Sequence, residues 1–343
     1  MRAAVYHGRH DIRIESVPEP DAPRPGEVVL EVLRSAICGT DASEWAHGPL
    51  LARPPVTLGH EFVGRVAEVG DGVEDFRVGD RIVSGAGVSC GTCEWCRAGR
   101  INLCAAYYTL GLHANGGLAE LVSTPASICR LVPEGCSDDA AAMAQPFAVA
   151  LHAVRRSGVA PGQACAVIGV GGIGAFIIAS AAAHDISPLI AVDIDDERLE
   201  TARRLGADHT VNARDGDLAQ LILESTGGEG AHVVIEASGA PEAPGAAIDA
   251  TRRGGRILLV GLQSQPREID LFALTVHEIE VTTTLAHVCD VDLPESLEII
   301  SSGDLASTVL DRVIPLEELV TEGIRPLAEG TARGKIVVDP KAA

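Results

Sequence analysis

The sixteen residues "SCGTCEWCRAGRINLC" carry four of the chain's nine cysteines, Cys90, Cys93, Cys96 and Cys104. Their spacing, C-x2-C-x2-C-x7-C, lets a single loop fold four thiolates tetrahedrally around one ion. Disulfides are disfavoured in a reducing compartment. Soft thiolates in a closed tetrahedral set select zinc, and the similar ferredoxin spacing makes an iron–sulfur centre the alternative. A closed cage leaves no coordination position for a substrate. Its role is then to fold and stiffen a lobe, about residues 89–105, that has no regular structure of its own.

Chemistry therefore needs a second, open set of ligands. Cys38 in "SAICGTDASEW" stands apart from the cluster, and "LGHEFVG" supplies His60 and Glu61 side by side. One thiolate, one imidazole and one carboxylate leave a fourth place for water or substrate, the arrangement of a catalytic zinc acting as a Lewis acid. The competing reading, a small buried hydrophobe, is the one given to Cys129, Cys136, Cys165 and Cys289.

A third pattern points to a dinucleotide. Gly169, Gly171 and Gly174 in "VIGVGGIG", with Gly172 and Ile173 between them, form G-x-G-x-x-G between a predicted strand and a predicted helix. Asp193 ends the next predicted strand, nineteen residues after Gly174. An acid there binds both ribose hydroxyls of the adenosine and repels a 2'-phosphate, so NAD is favoured over NADP. The glycines let backbone approach the pyrophosphate, and the helix N-terminus adds N–H donors and positive potential. Arg198 is a further candidate near the adenosine.

The elements that must position these groups divide the chain in two. With 343 residues, about two domains are expected. Up to about residue 150, short strands with Gly and Pro between them ("EVVLEVLRSAI", "EFVGRVAEVG", "DRIVSGAGV", "AELVSTP") suggest a β-rich, barrel-like domain. From about 160, "CAVIGV", "LIAVD", "HTVN", "HVVIEAS" and "GRILLVGL" alternate with helical stretches, which predicts βαβ units on a parallel sheet. The clearest helix is "DDERLETARRLG": acids open it, arginines close it and Gly206 ends it. The wound region ends near Thr284. "LPESLEIISSG" and "LEELVTEGIRPLAEG" then read as helices and "GKIVVDP" as a last strand that returns to the first domain.

A formal net charge of -21, from 48 acidic and 27 basic residues, repels phosphate backbones and anionic lipid heads, so nucleic acid and membrane surfaces are not expected partners. The N-terminus reaches charged residues too early for a signal peptide, which points to the cytoplasm. Residues 164–183 lack charge over about the length that spans a bilayer. A β-branched first part, a glycine-rich middle and an alanine-rich end make them a buried strand, turn and helix instead.

Taken together, these motifs resemble the zinc-dependent medium-chain dehydrogenase/reductase family, in particular its polyol branch of sorbitol, 2,3-butanediol and threonine dehydrogenases. The resemblance spans "GHEFVGRVAEVGDGVEDFRVGDRI", the cysteine lobe, "PFAVALHAV" and "GKIVVDP". It implies an α/β protein with a GroES-like β-barrel catalytic domain, residues 1–152 and 288–343, and a Rossmann doubly wound parallel sheet domain, residues 153–287. It implies a catalytic zinc on Cys38, His60 and Glu61, a structural zinc on Cys90, Cys93, Cys96 and Cys104, and a homodimer or homotetramer. Val260, Gly261 and Leu262, after the fifth strand, are expected near the cofactor.

Two positions depart from the polyol pattern. Gln145 stands where relatives usually have a glutamate before proline, so a carboxylate near the zinc becomes a neutral amide. Ser43 stands where relatives commonly have a proton-relaying histidine, while Thr40 keeps the hydroxyl nearest the zinc. The expected activity is NAD-dependent oxidation of a secondary alcohol or polyol. Hydride passes to the nicotinamide, Thr40 and Ser43 move the proton, and Gln145 orients oxygen or zinc water. Trp45 and His47 are expected to line the pocket or to pack. The alternatives are a carbonyl reductase using the same zinc in reverse, and a nucleotide-binding sensor weakened in catalysis.

Overall fold

Short apolar runs set the first strands, with Ala3–Tyr6 and Val28–Leu30 buried throughout. In the computed structural model, which describes residues 1–263 and 265–342, β1 (Arg2–Gly8) pairs antiparallel with β2 (Asp11–Ser16) and with β4 (Val56–Thr57). Between β2 and β4 lie β3 (Glu27–Ala36) and α1 (Gly39–His47). After β4 come β5 (Glu61–Val69), β6 (Arg81–Ser84) and the short pair β7 (Gly87–Val88) and β8 (Tyr108–Thr109). That pair brackets the cysteine lobe and its single-turn α2 (Glu94–Arg97). β9 (Leu121–Pro125), β10 (Cys129–Leu131) and α3 (Asp138–Ala142) lead into α4 (Ala144–Ser157).

The chain then winds. β11 (Cys165–Ile168), α5 (Gly172–Ala183), β12 (Leu189–Asp193), α6 (Asp196–Arg204) and β13 (His209–Asn212) make one half. α7 (Leu218–Ser225) leads to β14 (Ala231–Glu236), α8 (Ala243–Ala250), β15 (Thr251–Leu259), α9 (Leu271–His277) and β16 (Glu280–Thr283). The six strands form a wholly parallel sheet in the order β13-β12-β11-β14-β15-β16. β11 and β12 are buried along their whole length, as strands covered on both faces must be. The charge-free run 164–183 resolves into β11, a glycine turn and the twelve-residue α5. Among the described residues no helix is long and apolar enough to cross a membrane.

The C-terminal part, α10 (Cys289–Ile300), α11 (Leu305–Val309), β17 (Leu310–Pro315), α12 (Arg325–Ala328) and β18 (Lys335–Asp339), returns to the first region. There a seven-stranded sheet runs β10-β6-β5-β3-β18-β17, with β9 also paired to β3. "LEELVTEGIRPLAEG" is not one helix: a 3-10 turn (Leu316–Glu318) and a π-helical turn (Leu319–Ile324) precede α12. Pro326, in the first turn of α12, has no N–H to continue the earlier ladder. Two compact units result, Met1–Ala148 with Val288–Ala343, and Val149–His287. Tyr6, Leu58, Leu118 and Ile336 help to fill the core of the first, and Ile168, Ile190, Val234 and Ile257 that of the second.

Candidate metal and dinucleotide sites

Strand register assembles the open site. Ala36 of β3 faces Glu61 of β5 and Val337 of β18, so the end of β3, the start of β5 and the middle of β18 converge. Cys38 follows as the residue before α1, and Asp41 fixes that turn by accepting the Cys38 N–H at Oδ2, 2.9 Å. His60 is set by Gly59, whose φ is +97° and where a Cβ would lie 2.5 Å from the Leu118 backbone nitrogen. No other residue type is accommodated there without moving the chain.

The result is a buried, strongly anionic pocket. Ligand atoms of Cys38, His60 and Glu61 lie within 4.8 Å of one another. The Asp41 Oδ1 stands 3.7 Å from the His60 Nδ1, and both atoms are buried without a hydrogen bond among the described residues. Burial alone would lower the affinity of His60 for a proton. Asp41, Cys38 and Glu61 nevertheless push its pKa up to about 10. The site thus draws positive charge to itself, and a divalent cation on the three donors answers that demand without a proton on the imidazole. The donor set fits zinc, with Asp41 behind the imidazole to fix its orientation.

Thr40 comes into this group, its hydroxyl oxygen accepting from the Cys38 thiol at 3.6 Å. Ser43 is half-buried one turn further along α1, and Gln145 is buried in the first turn of α4. His47 is exposed at the end of α1. Trp45 meets the His10 ring edge-on, with 4.6 Å between centroids, and packs against the first unit's core. It is a packing residue.

Sequence reading missed two members of the site. Asp41 is three residues from Cys38 but carries no metal-ligand spacing. Lys335 opens β18 and is buried, its ammonium donating to the Ile37 carbonyl at 3.0 Å and to Glu61 Oε2. The only signal was a lysine at the head of the apolar run "KIVV".

The closed site is equally well formed. Cys90, Cys93, Cys96 and Cys104 bring their sulfurs within 4.8 Å of one another. Cys93 and Cys96 are 3.5 Å apart and Cys90 and Cys96 4.0 Å. Zinc–thiolate bonds of about 2.3 Å give a tetrahedral edge of about 3.8 Å, so the cage suits one zinc ion. An iron–sulfur cluster interposes its own atoms between the thiolates and needs a wider one. The Cys104 sulfur accepts from the Cys90 and Ala106 N–H groups at 3.2 and 3.3 Å. Hydrogen bonds from the Thr92 backbone and hydroxyl lower the Cys90 thiol to about 6, which favours the thiolate a metal needs.

In the second unit the glycine turn follows β11. Gly169 has φ +92°, and a Cβ there would lie 2.7 Å from Ser238; one at Gly174 would lie 1.8 Å from the Gly169 carbonyl oxygen. Gly171 differs, because a Cβ there would meet nothing within 4 Å. The protein itself does not require that glycine. The space it leaves, at the N-terminus of α5 beside Gly172 and Ile173, suits a pyrophosphate. Asp193 ends β12 and does more than the sequence suggested: its Oδ2 accepts the Val170 N–H of the turn at 2.7 Å, and its Oδ1 those of Ile194 and Asp195. The Arg198 guanidinium lies 3.9 Å from the same carboxylate. Val260 and Gly261 follow β15 and donate to the Glu236 carbonyl, and Leu262 is exposed.

Comparison with known proteins gives this geometry its family. Residues 24–134 match the alcohol dehydrogenase GroES-like domain, and residues 172–302 match the zinc-binding dehydrogenase family. The chain belongs to the zinc-binding dehydrogenases. The dehydrogenase is 34% identical to the sorbitol dehydrogenase of Bacillus subtilis over 88% of its own length and 86% of that protein's. Its fold matches the crystal structure of the 2R,3R-butanediol dehydrogenase of Bacillus subtilis with a TM-score of 0.91, at 32% identity over 99% of both chains. A zinc-binding dehydrogenase of Sinorhizobium meliloti, solved with NADP, superposes with a TM-score of 0.91 at 29% identity over 99% of both chains. The dehydrogenase is accordingly an oxidoreductase of small-molecule substrates, with a GroES-like and a Rossmann-type domain.

Proposed function

We propose that this dehydrogenase moves a hydride between a secondary alcohol, a vicinal diol or polyol, and NAD. The observation that carries this is the buried three-ligand set of Cys38, His60 and Glu61 alongside a separate closed cage. Zinc held there supplies Lewis acidity toward the substrate oxygen, and the nicotinamide ring accepts the hydride. Thr40 Oγ1 accepts the hydroxyl proton as it hands on its own. Ser43 is three residues along α1 and His47 four beyond that, so the three share one helix face and form a route to solvent. Gln145, neutral where a carboxylate would add charge, orients the oxygen through its amide. The diol preference is supported by the sorbitol and butanediol dehydrogenases among the relatives.

The choice of NAD is supported by the Asp193 carboxylate at the ribose end of β12. Asp193→Asn should raise the Kd for NAD about tenfold or more and narrow the gap to NADP, because both the ribose contact and the tie to Val170 weaken. Equilibrium titration of both dinucleotides checks this; an unchanged ratio would remove Asp193 from cofactor selection. A homodimer or homotetramer is supported by the edge strand β16 and the exposed Leu271, Phe272 and Val276 of α9. Nine cysteines outside disulfides are consistent with the cytoplasm.

The test is zinc content per chain together with NAD reduction by 2R,3R-butanediol and sorbitol. Two zinc ions and turnover of either diol support the reading. NAD binding without turnover of any alcohol or carbonyl, with zinc supplied, would replace it with the sensor.

A further inference from the structure

Glu236 is a wholly buried carboxylate to which neither metal site nor glycine motif gives a role. It ends β14. Its Oε1 accepts three hydrogen bonds, from the Ser238 N–H at 2.8 Å, the Ser238 hydroxyl at 2.6 Å and the Gly239 N–H at 2.8 Å. Its main-chain oxygen accepts from Val260 at 2.8 Å and Gly261 at 3.0 Å. One residue thus ties together the turns that follow β14 and β15. The other carboxylate oxygen, Oε2, is buried, and among the described residues nothing donates to it. It is pressed against Gly261, where a Cβ would lie 2.6 Å away. No Lys, Arg or His among the described residues forms an ion pair with it. A buried charge left this incompletely compensated is costly, so its retention calls for a function.

The sheet order says what lies above it. The chain winds outward from β11 through β12 to β13, then restarts on the other flank of β11 with β14 and β15, so the switch point lies between β11 and β14. A dinucleotide crosses such a fold at the switch point, over the carboxyl ends of the strands. Asp193, at the end of β12, marks the adenosine half. The nicotinamide half then falls over the ends of β14 and β15, on the two turns that Glu236 supports. The ring carries a positive charge in NAD+ and none in NADH. A fixed negative charge below it, shielded from water, stabilises only the oxidised form.

We propose that Glu236 makes the protein discriminate between the two redox forms of its dinucleotide, holding NAD+ more tightly and favouring release of NADH. This rests on the NAD reading above and adds to it a preference between redox forms. No bond is made or broken by Glu236; it is a positioning and electrostatic residue.

The experiment measures Kd values of the full-length, zinc-loaded protein for NAD+, NADH and ADP-ribose, which lacks the ring, in wild type and in Glu236→Gln. The expected result is a fall of about five- to tenfold in the ratio Kd(NADH)/Kd(NAD+), with ADP-ribose within about twofold of wild type. Equal shifts for NAD+ and NADH would overturn the proposal and leave Glu236 as a purely structural tie. If wild type binds neither redox form, the NAD reading itself fails, a different outcome from an unchanged ratio. Should Glu236→Gln not fold, Ser238→Ala takes its place. Removing that hydroxyl takes a donor from Oε1 and leaves its charge less neutralised, so the ratio should rise, and an unmoved ratio there overturns the proposal as well.

Discussion

Replacing Cys38 with alanine lowers kcat/KM for the alcohol substrate by at least about a thousandfold, roughly 4 kcal/mol of lost transition-state stabilisation, and lowers zinc content from two ions per chain to one. Both effects follow from one missing sulfur. His60 and Glu61 are left to hold an ion, and Glu61 is already engaged by Lys335. Dinucleotide affinity should be unchanged, since the glycine turn and Asp193 belong to the other compact unit. Local folding is also largely spared, because the start of α1 is fixed by the Asp41 carboxylate on the residue-38 backbone N–H, which alanine keeps. The measurements are metal analysis, steady-state kinetics and NAD titration on one preparation. Wild-type turnover with one zinc per chain would mean that the reaction does not use the Cys38 site.

What could be read from the sequence was what chain proximity fixes. The four cage cysteines belong to one loop, so their spacing alone shows that they can surround a metal centre, while the sulfur separations favour zinc over an iron–sulfur cluster. The glycines of the nucleotide turn and Asp193 are one βα unit and a strand apart, so a local pattern again carries the geometry. The open site was legible only as residue types. What unites Cys38 with His60 and Glu61 is the antiparallel register of β3 and β5, and register between strands is a tertiary fact. Lys335 was illegible for the same reason, being 274 residues from its partner Glu61. Glu236 reads in sequence as a polar end to the strand "HVVIE"; only packing shows that its carboxylate is buried and accepts the N–H groups of the next turn. The π-helical turn before α12 escaped because Gly323 and Pro326 sit inside an otherwise helical pattern.

The second large effect concerns Lys335, and its sign depends on the metal. Lys335→Met keeps the length of the side chain and removes its charge from a site where the ammonium meets Glu61 and the Ile37 carbonyl out of contact with water. Deleting one partner of a buried pair leaves the other uncompensated, at a cost of about 3–5 kcal/mol. In the metal-free protein the Glu61 carboxylate would then face Asp41 and Cys38 with only the His60 imidazole as a counter-charge. The melting temperature should fall by about 10 °C, given some 2–4 °C per kcal/mol for a unit of this size. With zinc bound, the ion supplies the missing positive charge, so the loss should be less than half as large. Glu61, freed from a competing cation, should also hold zinc more tightly, seen as slower loss of metal to a chelator. Lys335→Arg, which restores the charge, should behave much as wild type in both measurements. Thermal melts with and without zinc separate this from a packing role: an equal loss in the two states would show that Lys335 supports the strand and has no part in how Glu61 meets the metal.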